Sequence, residues 1–142
     1  MNSVKVEETH AVTHPVLRER VEKGKRLGTR EFVASIDGVE AGLLIFEYFP
    51  NNSLGFVYEI YVLKNFRAMG VGNKLLSRAE TVALDTGCNT LRLTARSLDR
   101  EFVNDEDLMF WYGRKGFIRD AGGSGGMQKN LSCEFTLGGQ LG

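Results

Sequence analysis

Two glycines two residues apart, Gly70 and Gly72, lie at the junction between a strand-like run and a helical pattern. The run 56–62 is rich in aromatic and β-branched residues, and apolar residues recur at helical spacing from 71 to about 86. Such a junction predicts a loop whose backbone N–H groups turn toward an anion, because the first turn of a helix leaves its N–H donors unpaired. The segment therefore predicts a phosphate-binding site and a nucleotide-like ligand.

Length and composition fit one domain. The chain has 142 residues, 42% apolar and 25% charged, so we treat 1–142 as a single domain with fraying expected at about 1–10 and 138–142. The 18 basic and 18 acidic residues balance, which argues against broad nucleic-acid or membrane binding. The polar N-terminus lacks the apolar core of a signal peptide, and no run approaches ~18 apolar residues, so we expect a cytoplasmic protein.

Neither the cysteines nor the histidines predict a metal site. Cys88 and Cys133 lie far apart without a CxxC spacing, which is typical of reduced thiols in a cytosolic protein. His10 and His14 have no further ligands at metal-binding spacing, so we expect no metal.

Hydrophobic periodicity and turn residues predict a mixed sheet with helices. The predicted strands cover 3–8, 31–36, 39–48, 55–62, 90–95, 117–119 and 127–131, the last continuing as far as Leu137. The predicted helices cover 13–26, 71–86 and 105–115. Asp37-Gly38 predicts a type I′ hairpin between the second and third strands. We therefore expect an α/β fold, in the sense of a mixed α+β sheet with helices on its faces.

The glycine junction does not fit the two best-known phosphate-binding loops. The GxxxxGK[ST] pattern of the P-loop is absent. The dinucleotide pattern GxGxxG lacks its third glycine, and no acid ends a strand about twenty residues later. A tight strand-to-helix turn, in which glycine only meets backbone demands, is the alternative.

Three segments together resemble the GCN5-related N-acetyltransferase (GNAT) superfamily. Arg67-x-x-Gly70-x-Gly72 resembles that family's acyl-coenzyme A loop, Q/R-x-x-G-x-G/A, between a central strand and a long helix. Residues 110–117 are similar to its helix-to-strand signature F-Y-x-x-x-G-F, and 126–131 resemble its closing strand. The resemblance covers about residues 30–132. It implies a single-domain, mostly antiparallel sheet whose central strand pair splays, with helices on both faces.

The resemblance implies transfer of an acetyl group from acetyl-coenzyme A (acetyl-CoA) to a primary amine, by direct attack in a ternary complex. It implies that Tyr112 protonates the departing thiolate, that Glu59 accepts the amine proton, and that a backbone N–H at Val62 or its neighbour stabilises the oxyanion. The implied cofactor-binding residues are Ile60, Tyr61, Val62, Arg67, Ala68, Met69, Gly70, Val71, Gly72, Asn73, Lys74, Asn104 and Asp105. Tyr61 projects to the same face as Glu59 by strand alternation, so it is expected to shape the acceptor pocket.

Structural alternatives stand beside these roles. Packing among neighbouring aromatic residues is the alternative for Tyr112, and a salt bridge on the strand is the alternative for Glu59. Asp105 lies seven residues before Tyr112, where the family often has asparagine, and Asn104 is next to it. Which of the two side chains contacts the pantetheine arm is therefore open.

Two other functional classes stay open from sequence. One is a non-catalytic acyl-CoA-binding module that regulates a partner protein, and the other is a nucleotide-binding domain of a different kind. The expected partner is an amine on a small molecule or a protein, with no nucleic acid and no membrane. A single short helix is predicted between the first two strands, which implies either a more open acceptor site or one completed by a second subunit in a homodimer.

Overall fold

Seven strands of the described part of the chain form one mixed sheet. The computed structural model describes residues 3–131. Its strands are β1 (Val4–Glu8), β2 (Thr29–Ile36), β3 (Val39–Phe49), β4 (Leu54–Val62), β5 (Thr90–Thr94), β6 (Ile118–Arg119) and β7 (Gly126–Asn130). Its helices are α1 (Pro15–Gly24), α2 (Val71–Asp85) and α3 (Asp105–Arg114), with short 3₁₀ turns at Pro50–Asn52 and Lys64–Phe66. The strand order is β1-β2-β3-β4-β5-β7-β6, in which β4 and β5 pair in parallel and all other neighbours pair antiparallel.

These elements confirm the predicted order, with each described boundary within two residues of its predicted place. Asp37 and Gly38 have φ angles of 52° and 81°, as a type I′ hairpin requires. Val4–Glu8 pair with β2, so the fraying expected at 1–10 does not extend to them. The continuation to Leu137, the fraying at 138–142 and Cys133 lie outside the described residues. No helix within 3–131 is long and apolar enough to cross a membrane.

Helices α1 and α2 cover opposite faces of the sheet. Strand alternation directs Phe32 and Leu44 toward α2, and directs Val33 and Leu43 toward α1. Leu17 of α1 is fully buried in the second cluster, and Val21 of the same helix packs against it. The expected arrangement of helices on both faces is therefore confirmed.

Two glycines in the sheet set how deeply α2 packs. A Cβ at Gly42 would lie 2.9 Å from the carbonyl oxygen of Tyr61 and 3.0 Å from Leu75 of α2. A Cβ at Gly55 would lie 3.3 Å from the Cβ of Ala83 in α2 and 2.9 Å from the ring of Phe46. Because these positions carry no side chain, α2 lies close to β3 and β4, and this depth fixes where its N-terminus lies.

Candidate active site

A cleft opens in the sheet where β4 leaves β5. The two strands pair only over the first four residues of β4, Leu54–Val57. Tyr58 follows as an extra residue against β3, a β-bulge of the kind that bends a strand and increases its twist. Residues 59–62 still pair with β3 but not with β5, and a cavity of about 720 Å³ lies beside them. The expected splaying of the central strand pair is thereby confirmed.

The register of β4 on β3 decides which backbone groups face this cleft. The N–H of Leu63 donates to the carbonyl of Ala41 at 2.8 Å, so Leu63 points toward β3. Successive residues in an antiparallel ladder point to alternate sides, so the N–H and C=O groups of Val62 and Ile60 point away from β3 into the cleft. The backbone N–H and C=O groups of Tyr61 point back toward β3. The cleft edge of β4 therefore offers Ile60 and Val62 as backbone donors.

The N-terminus of α2 borders the same cleft. Gly70 precedes the helix with a φ of 84°, and no side chain caps the helix end. The first hydrogen bond of the helix runs from the N–H of Lys74 to the carbonyl of Gly70 at 3.1 Å. The N–H groups of 70–73 therefore have no partner within the helix, and all four residues line the cleft. Together with the positive end of the helix dipole, these donors suit an anion.

Gly72 lies where neither packing nor backbone conformation requires glycine. A Cβ there would meet only the side chain of Val62 at 3.9 Å and the ring of Trp111 at 4.0 Å, which are ordinary contacts. Glycine within a helix costs about 1 kcal/mol relative to alanine. The missing side chain instead leaves open the approach to the α2 N–H groups, so the residues present fit a phosphate group.

Helix α3 supplies Tyr112 to the wall of the cleft. The Tyr112 ring is 6% exposed and packs edge to face on Trp111 and Phe117, with centroids 5.0 and 5.7 Å away. Burial raises the pKa of the Tyr112 hydroxyl, because a phenolate there would lose its hydration. Tyr112 is therefore a packed aromatic residue that also lines the cleft.

Arg67 is engaged by groups other than the α2 N-terminus. Its Nη1 lies 2.6 Å from Oδ2 of Asp99, and its Nε donates to the carbonyl of Val62 at 2.9 Å. The guanidinium also lies over the ring of Phe102, 4.9 Å from the centroid. The Arg67 side chain is only 10% exposed. The resemblance implies that Arg67 binds the cofactor; in the structure its guanidinium contacts Asp99, Val62 and Phe102.

Glu59 faces α1 and forms an ion pair with Arg20 of that helix. The Glu59 side chain is 12% exposed, and the Arg20 guanidinium lies 4.6 Å from the centroid of the Tyr61 ring. Glu59 and Tyr61 thus share one face of β4, as predicted, and both line the cleft. The salt bridge that was the structural alternative for Glu59 is present.

Most of the predicted cofactor-binding residues come together in the cleft. They are Ile60, Tyr61, Val62, Arg67, Ala68, Gly70, Val71, Gly72 and Asn73. The structure places the other four, Met69, Lys74, Asn104 and Asp105, outside the cleft lining. Asn104 caps α3 by accepting the N–H of Asp107 at 2.8 Å, and Asp105 accepts the N–H of Ser97 at 2.7 Å. Both side chains therefore organise the segment before α3.

Residues 4–102 match the acetyltransferase (GNAT) family. The chain belongs to this family. The match ends before α3, so it does not include Tyr112. The position of Tyr112 rests on the structure and on the similarity of residues 110–117 to the family's helix-to-strand signature.

Curated relatives and a solved structure agree with this assignment. Thialysine N-epsilon-acetyltransferase of Mus musculus is 33% identical over 49 residues, which are 34% of this chain and 29% of that protein. N-alpha-acetyltransferase MAK3 of Arabidopsis thaliana is 31% identical over 65 residues, 46% of this chain and 31% of that protein. The chain thus matches less than a third of the length of either relative. A GNAT family acetyltransferase from Elizabethkingia anophelis with acetyl-CoA bound shares the fold, with a TM-score of 0.67 and 14% identity over 90% of this chain and 98% of that one.

In this GNAT protein, one wall of the cleft comes from residues that the sequence did not identify. They lie on the β5–α3 connection and on α3: Ser97, Leu98, Asp99, Phe102, Asp107, Phe110, Trp111 and Arg114. The segment 96–104 is polar and carries no motif. Phe102, an aromatic residue within this polar segment, is a signal that the sequence offers; it is 59% exposed in the structure, and large exposed aromatic residues often mark a binding surface.

The structure also accounts for His14. Its Nδ1 accepts the N–H of Val16 at 3.2 Å and so caps α1. Among residues 3–131, no group of three or more His, Cys, Asp or Glu side chains is arranged to hold a metal ion.

Proposed function

We propose that this GNAT protein transfers an acetyl group from acetyl-CoA to a primary amine by direct attack in a ternary complex. One observation carries the proposal: a single cleft is bordered by the unpaired N–H groups of α2, the open edge of β4 and the hydroxyl-bearing Tyr112. These three features suit a pyrophosphate, a thioester carbonyl and a departing thiolate respectively. The fold shared with the relative that binds acetyl-CoA supports the same donor.

The backbone of residues 70–73 would hold the pyrophosphate of the donor. Backbone N–H groups bind an anion without the loss of side-chain entropy that an arginine or lysine would suffer. Gly72 permits close approach of the phosphate oxygens, because no Cβ lies between them and the helix end. The donor supplies an activated acyl carbonyl, and the remaining chemistry falls to the residues of this chain.

The cleft edge of β4 stabilises the developing negative charge. A backbone N–H, at Val62 or Ile60, donates to the acyl oxygen as the amine nitrogen attacks the carbonyl carbon. The C–N bond forms, the C–S bond breaks, and the sulfur leaves with the electron pair. Tyr112 gives its hydroxyl proton to this sulfur and regains a proton from solvent. A phenol carries its proton at neutral pH, and burial raises the pKa of Tyr112 further, so the proton is present for transfer.

Glu59 is our candidate for the group that accepts the proton of the attacking amine, directly or through one water molecule. An ammonium has no lone pair, so it must lose a proton before it can attack. Arg20 holds the Glu59 carboxylate in one orientation on the face that Tyr61 shares. The acceptor would therefore approach from the α1 face of the sheet.

The direct test is release of free thiol from acetyl-CoA in the presence of a panel of amines, with mass spectrometry of each amine to detect the added acetyl group. We expect turnover with at least one amine, and we expect Tyr112→Phe to lower kcat by about 100-fold or more with donor affinity unchanged. Tyr48→Phe is the matched control, because Tyr48 lies on β3 away from the cleft lining.

Two results would contradict the proposal. Tight binding of acetyl-CoA without thiol release from any amine would favour the non-catalytic binding module. Full turnover by the Tyr112→Phe variant would remove Tyr112 from the mechanism.

A further inference from the structure

One guanidinium joins the two edges of the splayed cleft. Arg67 lies on the connection between β4 and α2, whereas Asp99 lies on the connection between β5 and α3. The 2.6 Å contact between Nη1 and the Asp99 carboxylate therefore crosses the opening between the strands. Because this Arg67–Asp99 bridge is charge-assisted and mostly buried, it is stronger than a hydrogen bond between neutral groups.

Asp99 is itself held in place by its own connection. Its Oδ1 accepts the N–H of Glu101 at 3.2 Å, and its N–H donates to Oγ of Ser97, also at 3.2 Å. Its carbonyl accepts the N–H groups of Phe102 and Val103, each at 3.1 Å. The carboxylate that anchors Arg67 is therefore oriented by several bonds, so it can serve as a fixed point.

The other end of Arg67 acts on the cleft edge of β4. Its Nε donates to the carbonyl of Val62, while the next residue, Leu63, is bonded to Ala41 of β3. Beyond Val57 this edge has no β5 ladder to hold it. Arg67 thus supplies the cleft-side hydrogen bond that a neighbouring strand would otherwise provide at Val62.

We propose that Arg67, anchored by Asp99, is a positioning residue that orients the Val62 backbone for oxyanion stabilisation. This inference rests on the proposed function, because it takes the cleft-facing N–H of Val62 as the donor to the acyl oxygen. Misplacement of a reacting group by about 1 Å costs on the order of 100-fold in rate. A loosened Val62 therefore lowers the rate of acyl transfer while the pyrophosphate site, formed by α2 backbone groups, still binds the donor.

The test compares Arg67→Lys, Asp99→Asn and the double variant in thiol release and in acetyl-CoA binding by calorimetry. Lysine keeps the charge but lacks the planar fork that reaches both partners, and asparagine keeps the shape of aspartate without its charge. We expect each single variant to lower kcat by about 10- to 100-fold, with the dissociation constant for acetyl-CoA within about twofold of the original. The double variant should be no slower than the worse single variant, because both changes break one unit.

Arg30→Lys is the matched control. Arg30 forms a two-bond pair with Glu8 at the edge of the sheet, with both distances 2.8 Å, and lies outside the cleft lining. Its replacement removes a similar ion pair, so it should leave kcat unchanged. A loss of kcat in the Arg30 variant equal to that in the Arg67 variant would show a general loss of stability and overturn the proposal.

A second readout needs no turnover. In the protein without ligand, Asp99→Asn should accelerate hydrogen exchange of the Leu63 amide relative to the amides of β2, measured by NMR. This amide belongs to the same peptide unit as the Val62 carbonyl, and its hydrogen bond to Ala41 protects it from exchange. Unchanged exchange at Leu63 would overturn the inference, as would unchanged kcat in an active protein. Weaker acetyl-CoA binding with unchanged kcat would instead make Arg67 a phosphate ligand. Absence of thiol release by the unaltered protein would refute the proposed function, while the exchange experiment would still decide the role of Arg67.

Discussion

Gly72→Ala should separate stability from donor binding. The added Cβ would meet Val62 and Trp111 at 3.9 and 4.0 Å, so it causes no steric strain in the folded protein. Replacing glycine by alanine in a helix gains about 0.5–1 kcal/mol, which corresponds to a rise in Tm of about 3 °C for a domain of this size. The variant should therefore be slightly more stable than the original protein.

Acetyl-CoA affinity should change in the opposite direction. The new methyl group would stand in the cleft beside the unpaired N–H groups of 70–73. Loss of one hydrogen bond to a charged phosphate costs about 1.5–3 kcal/mol of binding free energy. This corresponds to a dissociation constant that is about 10- to 150-fold higher. Calorimetric titration with CoA and thermal unfolding without ligand measure the two effects separately.

Gly113→Ala provides the control for this experiment. Gly113 lies within α3, and a Cβ there would meet nothing within 4 Å. It should give a similar gain in Tm with unchanged CoA affinity, because Gly113 is not part of the cleft lining. If Gly72→Ala bound CoA as tightly as the Gly113 variant does, glycine at 72 would not serve a phosphate, and the argument for the anion site would fail.

Three further outcomes are expected. If Glu59 is the base, Glu59→Gln should lower kcat far more than Arg20→Gln does, since both variants break the same ion pair; equal losses in steady-state kinetics would reduce Glu59 to a structural residue. Gly42→Ala should lower the free energy of unfolding by about 1–3 kcal/mol in denaturant titration, because its Cβ would lie 2.9 Å from the backbone oxygen of Tyr61 and 3.0 Å from Leu75. No loss would mean that β4 and α2 both shift to make room. Hydrogen bonds from Arg30 and Arg67 lower the pKa of Glu8 and of Asp99 respectively. The contribution of these carboxylates to stability is therefore present above about pH 4 and is lost as pH falls through the lowered pKa values. The Tm measured against pH should fall in this range, and Glu8→Gln should flatten that fall.

Local patterns were sufficient for much of the fold. Asp37-Gly38 predicts its hairpin because a type I′ turn requires positive φ at both residues, and both have it. The glycine junction before α2 was found in the same way, since Gly70 needs a left-handed conformation and an uncapped helix end follows it. These features depend on residues that are neighbours in the chain, so a sequence records them directly.

Side-chain partners across the cleft were not predictable in this way. Arg67 stands in a loop motif that suggested a phosphate contact, yet its guanidinium bonds to Asp99, 32 residues later. Asn104 and Asp105 were expected at the pantetheine arm, yet their side chains cap α3 and hold Ser97. Each of these side chains had several partners of similar chemistry available, and only the three-dimensional arrangement selects among them.

Periodicity, glycine positions and short motifs are local properties, and they were enough to predict the order of helices and strands, the uncapped N-terminus of α2 and the tyrosine of α3. The tertiary structure alone decided where β4 separates from β5, which backbone groups of β4 face the gap, and which partner holds Arg67. Those features depend on the bulge at Tyr58, on the close packing of α2 over Gly42, and on the position of the β5–α3 connection beside β4. They arise from contacts between segments far apart in the chain, to which no single segment's pattern corresponds.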